Sequence, residues 1–245
     1  MDENTKSNLN LYDYVGFPNP QQRAEAKKVF NMEKLLLKRV TNADLLMFNV
    51  LAEQYHAWSN HINNFRSHLD MHLLLMYYQY KQNPLDIIDI ENFQSERGAH
   101  KVLFDTFAED ASLYLISYFD KHLEMFNDLF HLSKGEKYSL SRKRIIKKME
   151  QVDKLRILSI EYNTIKDSKA FQEVNEIRNN FVHNKSSSYY GMNIERHKEG
   201  VYVSHDAKGL STKKTYHAIC ELITNYQQLC VVVNNFIQHN ILDIK

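Results

Sequence analysis

Residues that interrupt regular structure are scarce in this chain, and that scarcity is its strongest constraint on the fold. The 245 residues include only 6 glycines and 3 prolines, the two residue types that most often end a helix or a strand. Long stretches also repeat apolar residues at the three- and four-residue spacing of one helix face. Together these features predict an all-α protein built from long helices.

Apolar spacing and stop signals divide the chain into six predicted helices. Two N-terminal helices cover residues 20–39 and 42–80, and the length of the second predicts a kink between Trp58 and Asn64. Asn83 and Pro84 end that helix, and a connector runs to residue 95. The other helices are predicted at 97–132, 141–160, 168–182 and 212–240. We therefore expect an up-and-down four-helix bundle over residues 96–245, preceded by an N-terminal arm and helical extension over residues 1–95.

Two predicted features lie outside these helices. The N-terminal arm carries Leu11, Tyr12, Tyr14 and Phe17, which we expect to pack on the body of the protein. Between the last two helices, residues 189–206 alternate apolar and polar side chains around Gly200. This alternation predicts a small β-hairpin inserted before the last helix.

Charge is segregated along the chain, although the net charge is only +1. Residues 86–128 hold ten acidic and three basic side chains, whereas residues 134–156 hold nine basic and three acidic ones. A basic helix face can follow the phosphates of a nucleic acid, and the alternative is an ordinary solvated face. The candidate phosphate-binding residues on this helix are Arg142, Lys143, Arg144, Lys147 and Lys148.

Neither a membrane span nor a metal site is predicted. The longest apolar run, near residues 73–78, is too short to cross a bilayer, and the N-terminus does not resemble a signal peptide, so we expect a cytoplasmic protein. The two cysteines are ten residues apart on one helix, about 15 Å, which is too far for a disulfide. Four histidines, His56, His61, His68 and His72, suggest a metal cluster, but no His-Glu-x-x-His motif or cysteine accompanies them. We therefore predict partly buried histidines and no metal or cofactor, with a metal site as the alternative.

One short motif carries candidate chemistry. The segment FQEVNEIRNNFVHNK, residues 171–185, places Arg178, Asn179 and His183 at the predicted end of a helix. With nine arginines and 12 histidines, chance alone gives about one case of a histidine four to six residues after an arginine. Arg66 with His72 is a second pair of this kind. The second pair lies inside an unbroken helical pattern and lacks an asparagine after the arginine. The first pair is therefore the better candidate.

Helix geometry sets a condition on this pair. Positions five apart on a continuous helix lie about 140° apart around its axis, so Arg178 and His183 can share a phosphate only if the helix ends by the histidine. Asn184 and the three serines at 186–188 favour a loop there. The alternative is a structural histidine that bonds the last carbonyls of the helix.

The Arg-Asn-x-x-x-His pattern, at the end of the third bundle helix and before the loop to the fourth, resembles the motif of the HEPN superfamily. The resemblance implies a metal-independent endoribonuclease that leaves 2′,3′-cyclic phosphate and 5′-OH ends at a site shared by two protomers. Arg178, Asn179 and His183 would be the catalytic residues, and Asn184 and Lys185 would contact the RNA. A toxin or defence role would add an antitoxin or another protein regulator as a partner. The alternative is a non-catalytic module of this superfamily that binds RNA, a nucleotide or a protein.

Overall fold

The computed structural model describes residues 16–32, 34–36, 50–87, 95–134, 140–182, 193–197, 200–204 and 211–242. These residues form seven α-helices: α1 (Pro20–Val29), α2 (Val50–Lys81), α3 (Glu96–Leu129), α4 (Arg142–Glu150), α5 (Arg156–Asp167), α6 (Lys169–Val182) and α7 (Thr212–Ile237). They also form two short strands, β1 (Asn193–His197) and β2 (Gly200–Ser204). The prediction of an all-α protein is confirmed.

The two longest helices, α2 and α3, form an antiparallel pair. Near one end of the pair, Trp58 Nε1 donates to Asp128 Oδ2 at 2.8 Å. Towards the other end, His100 Nδ1 lies 2.7 Å from Gln79 Oε1. Helix α2 runs without a break through residues 58–64, and a kink there stays a prediction. A helix packed along its length against an equally long partner gains its stability from tertiary contacts, and needs no break.

Residues 30–32 and 34–36, which follow α1, are not helical, contrary to the prediction of a helix to residue 39. Helix α1 ends at Val29, and asparagine side chains then bind the backbone that follows. Asn63 exchanges two hydrogen bonds of 3.1 Å with the N–H and C=O of Leu35. Asn234 of α7 accepts from the N–H of Leu36 and donates to the C=O of Lys34. Side-chain amides therefore satisfy the backbone groups that a helix would have satisfied.

The predicted helix 141–160 is two helices rather than one. Helix α4 ends at Glu150, a single 3₁₀ turn covers Asp153–Leu155, and α5 starts at Arg156. Val152 has an extended backbone that breaks the helical path. The break allows α5 to lie along α7 while Met149 and Leu155, on either side of it, are both fully buried.

Phe119 of α3 lies where four helices meet. Its ring centroid is 5.4 Å from that of Tyr162 on α5, 4.9 Å from Phe171 on α6 and 6.2 Å from Tyr226 on α7. Residues of α2 belong to the same continuous hydrophobic core. The division of the chain at residues 95 and 96 stays a prediction.

Two peripheral segments complete the described fold. Strands β1 and β2 pair antiparallel with Ile194 opposite Val203, within the stretch 189–206 whose alternation predicts a hairpin. In the N-terminal arm, Phe17 is 74% exposed, so the prediction that it packs on the body is wrong. Leu11, Tyr12 and Tyr14 lie outside the described residues.

A titratable histidine, His122, is fully buried in the core. Its Nδ1 lies 3.2 Å from the hydroxyl of Tyr162, and its Nε2 has no hydrogen-bond partner among the described residues. Burial lowers the pKa of His122 from 6.5 to about 3, because the charged form would lose its hydration. The folded protein therefore holds this imidazole neutral.

The buried histidine should make the protein less stable in acid. Between about pH 6.5 and about pH 3 the unfolded chain binds a proton at His122 that the folded chain does not. Acidification from about pH 7 to about pH 5 should therefore lower the free energy of unfolding by about 2 kcal/mol through this group. Urea unfolding of wild type and His122→Gln at both pH values measures the effect. The glutamine variant, which does not titrate, should lose about 2 kcal/mol less, and equal losses would contradict the prediction.

Candidate functional site

Helix α6 positions the motif, and its own sequence explains how it packs. At its start, Ser168 Oγ accepts a hydrogen bond from the N–H of Phe171 at 3.2 Å, an N-terminal cap that favours a helix start here. Ala170, Phe171, Val174 and Ile177 are buried, and α6 packs between α3 and α7. Arg178 follows this buried face directly, and it is half-buried.

Arg178 is held by its neighbour in the motif. Its Nη1 donates a hydrogen bond of 2.9 Å to Asn179 Oδ1. Its Nε is buried and has no hydrogen-bond partner among the described residues. The guanidinium is thus oriented on one side and keeps a donor that the described part of the chain does not satisfy.

The other predicted site residues near Arg178 are the catalytic histidine, His183, and two RNA-binding residues that follow it in the sequence. Helix α6 is described as far as Val182, and His183, Asn184 and Lys185 lie outside the described residues. The predicted approach of Arg178 to His183 therefore stays a prediction. Val182, the residue before the histidine, is 46% exposed, so an apolar side chain faces solvent beside the motif.

Arg142, a predicted RNA-binding residue, is engaged inside the protein. Its Nε bonds Asp120 Oδ1 of α3, and its Nη2 donates to Asp120 Oδ2 at 2.8 Å. The guanidinium also lies over the ring of Phe171, 5.7 Å from its centroid, and Nη1 is 3.4 Å from Asn175 Oδ1. The hydrogen bond to Asp120 raises the pKa of Arg142. Its charge is therefore largely compensated by a carboxylate, and its clearest role is to join α3, α4 and α6.

The other basic residues of α4 differ from Arg142. Lys143, Arg144 and Lys147 are exposed, and Lys148 is half-buried. Ile145, Ile146 and Met149 fill the opposite face of the same helix and are buried. The predicted amphipathic pattern therefore presents its charges outward.

A shallow cleft connects this basic helix with the face of α6 that bears the motif. It has a volume of about 510 Å³ and lies between the start of α4, the end of α5 and the start of α6. Lys143, Lys166, Gln172 and Asn175 are among its lining residues. Asn175 was not predicted from the sequence, although it lies three residues before Arg178 and therefore on the same helix face. The spacing between Asn175 and Arg178 is the sequence signal that could have identified Asn175. Lys166 lies on another helix, α5, and reaches the cleft only in the folded protein.

Two of the four α2 histidines, His68 and His72, contact α3, whereas His56 and His61 contact residues of α2 itself. His68 and His72 stack on Tyr114, with ring centroids 6.3 and 5.0 Å apart. His72 Nδ1 also lies 3.3 Å from Asp110 Oδ2. Within the described ranges there is no group of three or more histidine, cysteine or acidic side chains that could hold a metal ion.

The described helices form an all-α protein, and comparison with known families identifies which kind. The Cthe2314-like HEPN family model matches residues 58–245, so the chain belongs to this family, and the predicted superfamily membership is confirmed. The match begins inside α2 and includes the motif. No curated protein and no solved structure matches the chain. In the described part of the chain, no helix is both long and apolar enough to cross a membrane.

Proposed function

We propose that the protein is a metal-independent HEPN-type endoribonuclease, which cleaves RNA to 2′,3′-cyclic phosphate and 5′-OH ends. Family membership supports either a ribonuclease or a nucleotide-binding module. The observation that favours cleavage is the state of Arg178, which Asn179 orients while its buried Nε keeps an unused donor. An oriented arginine with free donors is suited to a phosphate group.

The proposed reaction needs only the motif residues. His183 takes the proton from a ribose 2′-OH, because a histidine can exchange protons near neutral pH. The 2′-oxygen then attacks the adjacent phosphorus, the bond from phosphorus to the 5′-oxygen breaks, and water supplies a proton to that oxygen while the protonated His183 returns its proton to the solvent. Arg178 stabilises the negative charge that builds on the phosphate oxygens. Asn179 keeps the arginine in place.

We propose that α3, α5, α6 and α7 are the four core helices of the HEPN bundle, arranged up and down. Helix α6 is then the third core helix, and the motif lies at its C-terminal end. In this arrangement α1 and α2 belong to the N-terminal extension of residues 1–95, and the hairpin of β1 and β2 is an insertion before the last core helix.

The RNA backbone would extend from the motif towards the basic helix α4. Lys143, Arg144, Lys147 and Lys148 would contact phosphates, with Arg142 holding the helix in position through Asp120. Asn184 and Lys185, which follow the motif histidine, would bind the backbone next to the cleaved bond. We place this activity in a toxin or defence effector, restrained by an antitoxin or another protein regulator.

A second candidate function is a protein-interaction module without catalysis. Helix α5 carries two isoleucines one turn apart, Ile157 and Ile160, which are 69% and 57% exposed. Large exposed apolar side chains close together often mark a protein-binding surface. An RNA cleavage assay distinguishes this candidate from the ribonuclease, because only a ribonuclease needs the motif residues for cleavage.

Alanine at either motif position should abolish cleavage of single-stranded RNA. His183→Ala removes the proton acceptor, which contributes about 10²- to 10⁴-fold to the rate. Arg178→Ala removes charge stabilisation at the phosphate and should also weaken RNA binding. Gel assays with and without EDTA measure turnover, and EDTA should have no effect, since the proposed groups supply both base and charge.

Thermal melting provides the control for these two variants. Arg178 is only half-buried, so its replacement leaves no large core cavity, and the melting temperature should move by only a few degrees. Wild-type protein that is dimeric and leaves a mixed RNA pool intact would contradict the proposal. A large loss of stability in the arginine variant would instead assign Arg178 a structural role.

The site should be shared by two protomers, because one helix end supplies a single Arg-His set. The exposed Val182 beside the motif supports a contact between the two α6 ends. Sedimentation should show a homodimer. If arginine and histidine of one site come from different protomers, mixing Arg178→Ala and His183→Ala chains should restore cleavage, since one of the two sites in each heterodimer is then intact. A monomeric wild-type protein, or a dimer whose mixed variants stay inactive, would contradict this arrangement.

The basic face of α4 should contribute to RNA affinity through phosphates. Replacing Lys143, Arg144 and Lys147 by glutamine should reduce the slope of log affinity against log salt concentration by roughly one unit for each phosphate that the variant no longer neutralises. The matched control is Lys28→Gln with Lys213→Gln and Lys214→Gln, three exposed lysines on other surfaces. Both triple variants change the net charge equally. If the two variants have equal slopes, the α4 face is only solvated and does not contact phosphates.

A further inference from the structure

A second group of cations lies away from the motif, in a cleft between α1, the segment that follows it, and α2. The cleft has a volume of about 510 Å³. Four basic side chains, Arg23, Lys27, Lys34 and Arg66, line it together with one carboxylate, that of Asp70. A concave surface with this excess of positive charge attracts anions.

Arg66 is the unusual member of the group. Its side chain is only 7% exposed, yet its Nε and Nη1 have no hydrogen-bond partner among the described residues. The nearest carboxylate oxygen, Asp70 Oδ1, is 3.6 Å from Nε, close enough for an ion pair but too far for a hydrogen bond. Buried polar groups are normally satisfied, since an unpaired one destabilises the fold. Arg66, which lines the cleft, thus has two buried donors without a matching acceptor in the described part of the chain.

Apart from Asn31 and Ser67, the rest of the cleft lining is apolar. Ala26 and Phe30 are buried, Leu74 is half-buried, and Met71 is 51% exposed. A ligand with an anionic head and an apolar body would satisfy both parts of this lining. The planar guanidinium of Arg66 matches the oxygens of a phosphate with two parallel hydrogen bonds, and three further cations suit a doubly charged group. The volume lies within the usual range for small-molecule sites.

We propose that this cleft binds a small phosphate monoester, with its phosphate on Arg66 and its apolar body against Phe30 and Leu74. The site does not rest on the proposed ribonuclease activity, because none of its residues belongs to the motif. Arg23, Lys27 and Lys34 also precede residue 58, where the family match begins. Three of the four cations of this site therefore lie outside the part of the chain that the family model covers.

Calorimetric titration of the full chain with three probes tests the proposal. Phenyl phosphate should bind, inorganic phosphate should bind more weakly, and phenol should not bind measurably. Arg66→Met, which keeps the length and apolar character of the side chain, should weaken the binding of phenyl phosphate by on the order of 10- to 100-fold. The matched control is Lys28→Gln, an exposed lysine of α1 outside the cleft, and it should bind like wild type.

A second variant keeps the test valid if Arg66→Met does not fold. Lys27→Gln with Lys34→Gln changes two exposed side chains, so the fold should be retained while binding weakens and depends less on salt. Failure of phenyl phosphate to bind wild type, or equal binding by the Arg66→Met variant, would overturn the proposal. Equal affinity for inorganic and phenyl phosphate would overturn the apolar contact. Loss of binding in Arg178→Ala would place the ligand at the motif and overturn the cleft as its site.

Discussion

The ion pair between Arg142 and Asp120 connects α3 and α4 beside α6, the helix that carries the motif. Both carboxylate oxygens of Asp120 bind the guanidinium, which also covers Phe171 and approaches Asn175 on α6. The two side chains are 28% and 29% exposed, so water screens the pair only in part. A bidentate pair of this kind contributes about 1–2 kcal/mol. Its greater importance is geometric, because one side chain joins α3, α4 and α6 next to the proposed RNA path.

This arrangement explains how Arg178, a described residue of the proposed site, is held in position. Arg178 lies on α6, whose buried face is packed against α3 and α7 through Phe171 and its neighbours. Sites on rigid helices are held more accurately than sites on loops. Phe119 contacts Phe171 of α6 in the core, and Arg142 contacts Phe171 and Asn175 of the same helix. The hydrophobic core and the candidate site thus depend on the same few residues.

The sequence predicted the type of the elements better than their number and their ends. The 3.6-residue spacing of apolar side chains is a local signal, and it identified α2, α3, α6 and α7. The errors arose where tertiary contacts decide the backbone: Asn63 and Asn234 hold residues 34–36 in a non-helical path, and the extended Val152 separates α4 from α5. The motif itself was recognisable because its residues are close in sequence. The partners of Arg142 and the cleft around Arg66 come from distant segments, and no sequence spacing reveals them.

Arg66 was rejected as part of a ribonuclease motif, but it is the central residue of the proposed phosphate site. As a ribonuclease motif the pair of Arg66 and His72 fails, since both lie within the uninterrupted helix α2. The same helix places Arg66 one turn from Asn63, the residue that binds the backbone of Leu35. Leaving two donors of a buried guanidinium unsatisfied costs roughly 1–3 kcal/mol for each group, a large fraction of the stability of a small protein. Binding of an anion would recover that free energy, and since it would bridge α1, the following segment and α2, it would also hold these parts of the N-terminal extension together.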